Sequence, residues 1–145
     1  FSIMLNDRES SDIRNNLGFC QILTGEVKIG LESIIKALAT KYKPLYELNK
    51  GIGEFLQNNI DPAKISLRNA LHQCSVPGND TEVECVLLLE ATEKKVNYGT
   101  EVPLDAAILI NLYRMGDFDK IQLEKELTNL YPDKANEWLT TIVKN

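Results

Sequence analysis

The sequence is poor in the residues that do chemistry. It has one histidine, His72, and three cysteines, Cys20, Cys74 and Cys85. The cysteines stand far apart, without the close pairing a zinc site needs, and a lone histidine supplies no Cys/His cluster. Gly-rich phosphate loops and nucleophile elbows are also missing, and no metal-ligand spacing stands in their place. Glu84 with Glu90 and Glu93, or Asp117 with Asp119, could supply carboxylate pairs, but their positions suit helix capping and a solvated face. His72 reads as a surface or packed histidine. These absences argue against catalysis and predict neither cofactor nor metal.

Positive charge is scarce as well. The chain carries 21 acidic and 16 basic side chains, a formal net charge of −5. Its densest basic spots are Lys41 with Lys43 and the Lys94-Lys95 pair. Neither makes the concentrated field that nucleic acid or an anionic membrane requires. No apolar run approaches the roughly 18–20 residues of a membrane span. Phe1 to Leu5 is too short for a signal-peptide core and lacks a basic start. The missing initial Met leaves a fragment and a processed product both open. Three cysteines among apolar residues of predicted helices read as small buried thiols, which points to a reducing compartment, the cytoplasm. Asn79-Asp80-Thr81 matches a glycosylation acceptor, which matters only in a secreted chain.

What the sequence does have is helical punctuation. Its 145 residues, 43% of them hydrophobic, suffice for one domain with a real core. After a lead-in segment over 1–10, Ser10-Ser11-Asp12 supplies helix-starting oxygens. Apolar residues then recur every three or four positions on both sides of Gly25, predicting helices to about Leu23 and from about Glu26 to Lys41. Pro44 opens the next helix, Asn58-Asn59 makes a turn, and Asp61-Pro62 starts a partner helix that Pro77-Gly78 ends. The pattern predicts further helices over 81–97, 103–115, 118–131 and 134–144. That gives about eight helices, an all-α fold, and no convincing strand, although Val83 to Leu89 has some β-branched character. Leu104 to Met115 is apolar nearly all round, as a helix buried between neighbours is.

The helices repeat. Gly25 and Asn58 mark equivalent turns at an offset of 58 − 25 = 33, and Gly18 with Gly51 and Ala37 with Ala70 share that offset. A helix-turn-helix unit with a period near 34 resembles the tetratricopeptide repeat family. Leu17-Gly18 and Gly51 match the leucine-glycine step of the family's first helix. Gly25-Glu26 and Gly116-Asp117 match its turn, with Asn58 replacing glycine. The small-residue series of its second helix returns as Gly30, Ile34, Ala37 and as Ala63, Leu67, Ala70. Arg14 and Glu47 stand where the family has tryptophan, and Gln21 and Glu54 where it has tyrosine. The resemblance implies a stack of αα-hairpins at about 11–43, 44–77 and 103–131, with an extra helix at 81–97 and a capping helix at 134–144 bearing Trp138. A second pairing, of 81–97 with 103–115 and 118–144 as a fourth hairpin, stays open.

A hairpin stack of that kind implies a concave surface lined by first helices, which holds a partner segment. Carried onto this chain, the partner-binding residues are Asn15, Phe19, Ile22, Leu48, Ile52, Phe55, Ile110 and Tyr113. This set is mainly apolar, so it suits an amphipathic helix or an extended hydrophobic peptide of another protein better than a charged tail. An apolar stripe at helical spacing also fits plain core packing. The expected function is protein–protein interaction, as a scaffold or a chaperone-like module. The alternatives are a non-catalytic regulatory or structural domain of a larger enzyme and a small secretion or assembly chaperone.

Overall fold

The computed structural model describes residues 7–74, 77–78, 84–90 and 95–143. The chain is mostly helical, as an all-α fold requires, and it divides into two compact units, Phe1–His72 and Gln73–Asn145, where a single domain was expected.

Unit 1 holds α1 (Asp7–Leu23), α2 (Val27–Thr40), α3 (Pro44–Leu56) and α4 (Ile60–His72). They form two helical hairpins, α1 with α2 and α3 with α4, and α3 packs on the first hairpin. α1 already runs through Ser10-Ser11-Asp12, and Ser11 is buried, so the expected start there and the lead-in segment to residue 10 are corrected; residues 1–6 lie outside the described residues. α4 ends at His72, short of Pro77-Gly78.

Both turns are built alike. Gly25 has φ +96° and Asn58 φ +65°, the left-handed conformation that glycine and asparagine tolerate. The Gly25 N–H donates to the Ile22 carbonyl and the Glu26 N–H to that of Gln21, at 3.2 and 2.8 Å. Asn58 to Phe55 and Asn59 to Glu54 repeat this at 2.9 Å each. These are the paired bonds that close a helix end around a left-handed residue.

The glycines seven positions before each turn set how closely the helices approach. A Cβ on Gly18 would lie 2.6 Å from the Gly30 carbonyl oxygen and 2.8 Å from Ile34 Cγ1. One on Gly51 would lie 3.2 Å from the Ala63 carbonyl oxygen and 2.1 Å from Leu67 Cδ1. Ala63 and Leu67 are the counterparts of Gly30 and Ile34 at the repeat offset, so both hairpins use the same contacts. A polar tie repeats with them. Ser33 donates to Gln21 Oε1 at 3.3 Å and Ser66 to Glu54 Oε1 at 2.6 Å, which gives Gln21 and Glu54 the same local task.

Unit 2 departs from the expected helices. The segment read as an extra helix over 81–97 is a β-hairpin instead, β1 (Glu84–Glu90) antiparallel to β2 (Lys95–Val102), with a bulge between Val86 and Leu88. The apolar run in β1 is only a few residues long, a length at which helix and strand share one pattern, and the valines and Thr100 favour the strand. The pairing of 81–97 with 103–115 as helices falls with it, and the glycosylation-acceptor match at Asn79 to Thr81 lies outside the described residues. α5 (Leu104–Arg114) and α6 (Lys120–Leu130) follow, then the short α7 (Ala135–Trp138) and a π-helical turn, Leu139–Val143, in place of the capping helix over 134–144.

α5 and α6 share the turn of unit 1. Gly116 has φ +84°, and the Asp117 N–H donates to the Leu112 carbonyl at 2.9 Å. Seven positions before that turn stands Leu109 in place of a glycine. The two helices pack less extensively than the pairs in unit 1. α5 is buried from Asp105 to Leu112, as its all-round apolar sequence requires. Trp138 packs edge-on against Tyr131, with ring centroids 5.3 Å apart.

Candidate functional site

Seven of the eight residues expected to line a partner groove are buried: Asn15, Phe19, Ile22, Leu48, Ile52, Phe55 and Ile110. Tyr113 alone is half-buried. Ile22 packs toward Gly30 and Gly53, and Asn15 accepts from Asn49 Nδ2 at 3.1 Å. As placed, these side chains are core. The apolar stripe is packing, and a binding surface has to be sought elsewhere.

The polar residues of unit 2 answer a second question, whether buried chemistry hides there. Asp105 is fully buried and accepts from the Gly78 N–H at 2.8 Å, the Ala106 N–H at 2.9 Å and the Tyr131 hydroxyl at 2.7 Å. It ties the start of α5 to the segment before β1 and to the end of α6. Asn111, also fully buried, accepts from the Leu89 N–H and donates to the Ala107 carbonyl, each at 2.8 Å. Arg114 donates to the Leu89 and Ile142 carbonyls. Its burial lowers the guanidinium pKa, an effect that the negative charge of Glu90 and then Tyr113 opposes. Each group already has partners of matching polarity. They are structural locks, and sequence reasoning missed them because one Asp, one Asn and one Arg carry no signal until the fold brings them to Leu89 and Tyr131.

His72 is exposed at the end of α4, and Asp119 caps α6 by accepting from the Gln122 N–H at 2.7 Å. Among the described residues, no group of three or more His, Cys, Asp or Glu could hold a metal ion. None of the helices is long and apolar enough to cross a membrane, among the same residues. Cys20 is exposed on α1, against the expectation of a buried thiol, and Cys85 lies on β1 and not on a helix.

Two surface features remain. In unit 2 an open cleft of about 410 Å³ runs between α6 and the C-terminal turns, lined by Lys120, Glu124, Pro132, Ala135, Leu139 and Thr140 among others. Its lining carries charges of both signs, Lys120 and Glu124, and is more polar than apolar.

The second feature is the outer face of α1. Its buried side carries Ser11, Asn15, Gly18, Phe19 and Ile22, and the opposite side presents Ile13, Asn16, Leu17 and Cys20, all exposed. Ile13 keeps 48% of its surface in solvent and Leu17 53%. The same face of α3, one repeat offset on, is Tyr46, Asn49 and Gly53, and all three are buried. The first hairpin covers them. Tyr46 donates its hydroxyl to Asp12, Lys43 reaches the same carboxylate at 2.9 Å, Asn49 donates to Asn15, and a Cβ on Gly53 would meet Leu31 Cδ2 at 2.8 Å. One face of one helix type is thus filled in the second layer and open in the first.

No family model matches the chain, and neither a curated protein nor a solved structure matches it.

Proposed function

We propose that this chain is a protein-interaction module of tetratricopeptide-like hairpin layers, which binds an amphipathic or hydrophobic segment of another protein and carries out no catalysis of its own. The observation that carries this reading is the uneven distribution of exposed aliphatic residues in unit 1. Ile13, Leu17, Leu23, Ile29 and Ile35 are exposed on the first hairpin, against Ile65 alone on the helices of the second, among the described residues. Scattered exposed aliphatics are ordinary, but two at helical spacing on one face make a strip of the kind that helical partners use. An exposed thiol beside them suits a reducing compartment, the cytoplasm.

The test is selection from a random peptide library against the intact chain, followed by calorimetry of the enriched peptides. The expected result is a consensus with aliphatic residues three or four apart and binding that buries apolar surface, seen as a negative heat-capacity change. Enrichment of no consensus, or of charged peptides whose binding falls steeply with salt, overturns the proposal.

A further inference from the structure

The outer face of α1 has a counterpart in the second layer, and the counterpart shows what closes such a face. Ile13, Asn16, Leu17 and Cys20 of α1 correspond at the repeat offset to Tyr46, Asn49, Lys50 and Gly53 of α3. Both helices of the first hairpin cover Tyr46, Asn49 and Gly53. From α1, Asp12 accepts from the Tyr46 hydroxyl and Asn15 from Asn49 Nδ2. A Cβ on Gly53 would lie 3.0 Å from Ile22 Cδ1 of α1 and 2.8 Å from Leu31 Cδ2 of α2. Closing this face therefore takes a hairpin, since either helix alone leaves part of it in water. On α1 the equivalent positions are exposed and more apolar, although the end of a helical stack that faces water has to be polar.

We propose that the outer face of α1 is the docking site for a helical hairpin of another protein, which continues the layer interface formed between α3 and the first hairpin. The proposal rests on the interaction-module reading above and names its site and partner. A second copy of this chain has no hairpin to offer in that geometry. The covering side of its first hairpin already lies against α3. In its second hairpin the covering positions Asp12, Asn15 and Ile22 become Leu45, Leu48 and Phe55, and Leu48 and Phe55 are buried within their own chain. The α1 side chains also specify the partner. Cys20 brings a Cβ and a sulfur to a place where a Cβ alone would crowd Ile22 and Leu31, so the docking hairpin carries glycine or alanine at both of those positions. Toward Ile13, which has no hydroxyl to match that of Tyr46, it turns an aliphatic residue in place of Asp12. Opposite Asn16 it places an amide or hydroxyl, as Asn15 stands opposite Asn49.

The probe is a library of cross-linked two-helix miniproteins built on residues 11–43 with Cys20→Ser, varied at the positions of Asp12, Asn15, Ile22 and Leu31. It is selected against the intact chain beside a matched library of stapled single helices. Hairpins are expected to be enriched, with small residues at the positions of Ile22 and Leu31 and an aliphatic one at that of Asp12, and single helices are not. An enriched hairpin at about ten times its Kd is expected to slow alkylation of Cys20 about tenfold and to leave the rate at Cys74 unchanged. Ile13→Asp puts a carboxylate into a dry contact and is expected to weaken binding by about tenfold or more with unchanged circular dichroism. Cys20→Arg serves equally if Ile13→Asp misfolds. Ile121→Asp, on a residue 78% exposed in unit 2, leaves binding unchanged.

Failure to enrich a hairpin, equal enrichment of single helices, or binding that Ile13→Asp and Cys20→Arg leave intact overturns the proposal. The last result also exposes a miniprotein that merely displaces the chain's own first hairpin from α3. A wild-type dimer that Ile13→Asp dissociates would give the face to a second copy and overturn the proposal as well. Random-library peptides that still bind Ile13→Asp, with no hairpin enriched, would overturn this site and leave the interaction-module reading standing.

Discussion

Unit 1 and unit 2 solve the same problem, holding short helices together, by different means. In unit 1 the answer is repetition. Gly18 against Gly30, Gly51 against Ala63, the left-handed turns at Gly25 and Asn58, and the serine ties at Ser33 and Ser66 all recur at one offset. In unit 2 the turn at Gly116 survives, but Leu109 occupies the place of the glycine. Three polar side chains, the buried Asp105 and Asn111 and the half-buried Arg114, hold strands, helices and the C-terminal turn in place. Close backbone approach at small residues is the distinguishing device of one unit, and buried side-chain bonds to the backbone that of the other. The difference shows what a repeat requires, a small residue at the crossing as well as a turn.

The largest test of this contrast is Asp105→Ala. It removes a fully buried acceptor from the half-buried Tyr131 hydroxyl and from the Gly78 and Ala106 N–H groups, and a cost of about 3 kcal/mol is expected. Urea denaturation measures the cost, and hydrogen exchange locates it. Protection should fall in α5, α6 and β1 while α1 to α4 keep theirs. An equal fall in both units would erase the distinction between them.

Next in size is Gly18→Leu. The new side chain meets the Gly30 backbone, which cannot move aside as a side-chain end can, so a loss of about 1–3 kcal/mol is expected from overpacking. Thermal melting followed by circular dichroism reads it, and an unchanged curve would remove Gly18 from the contact assigned to it. The smallest effect compares the two layers with each other. Ser66 is buried, donates to Glu54 and lies 3.1 Å from Lys50, whereas Ser33 makes a 3.3 Å bond in a half-buried place. Ser66→Ala should cost about 1 kcal/mol and Ser33→Ala about half that. Equal costs would make the tie a bystander of the repeat.

Much of unit 1 is legible in the sequence. The turn residues, the proline at the start of α3 and the small residues at a fixed offset act locally, so their spacing alone marks hairpins. The β-hairpin was not legible as such, because Val86 to Leu89 presents to a strand the same unbroken apolar run that it would present to a buried helix. The groove failed for a related reason. Phe19, Ile52 and Phe55 fit a core and a binding surface equally well by pattern, and burial decides between them. The open face of α1 was hidden too, since Ile13 and Leu17 read like any other apolar helical positions until Tyr46 and Gly53 are seen covered.

By itself the sequence determined the helical class, the turns and the constant offset between the two hairpins of unit 1, since these follow from backbone sterics and side-chain size over short stretches of chain. Only the tertiary structure decided which apolar faces are closed, where strands replace a helix, and that Asp105, Asn111 and Arg114 lock unit 2. Those outcomes depend on which groups from distant parts of the chain come within bonding distance, and hydrophobic burial has no direction by which a sequence could announce them.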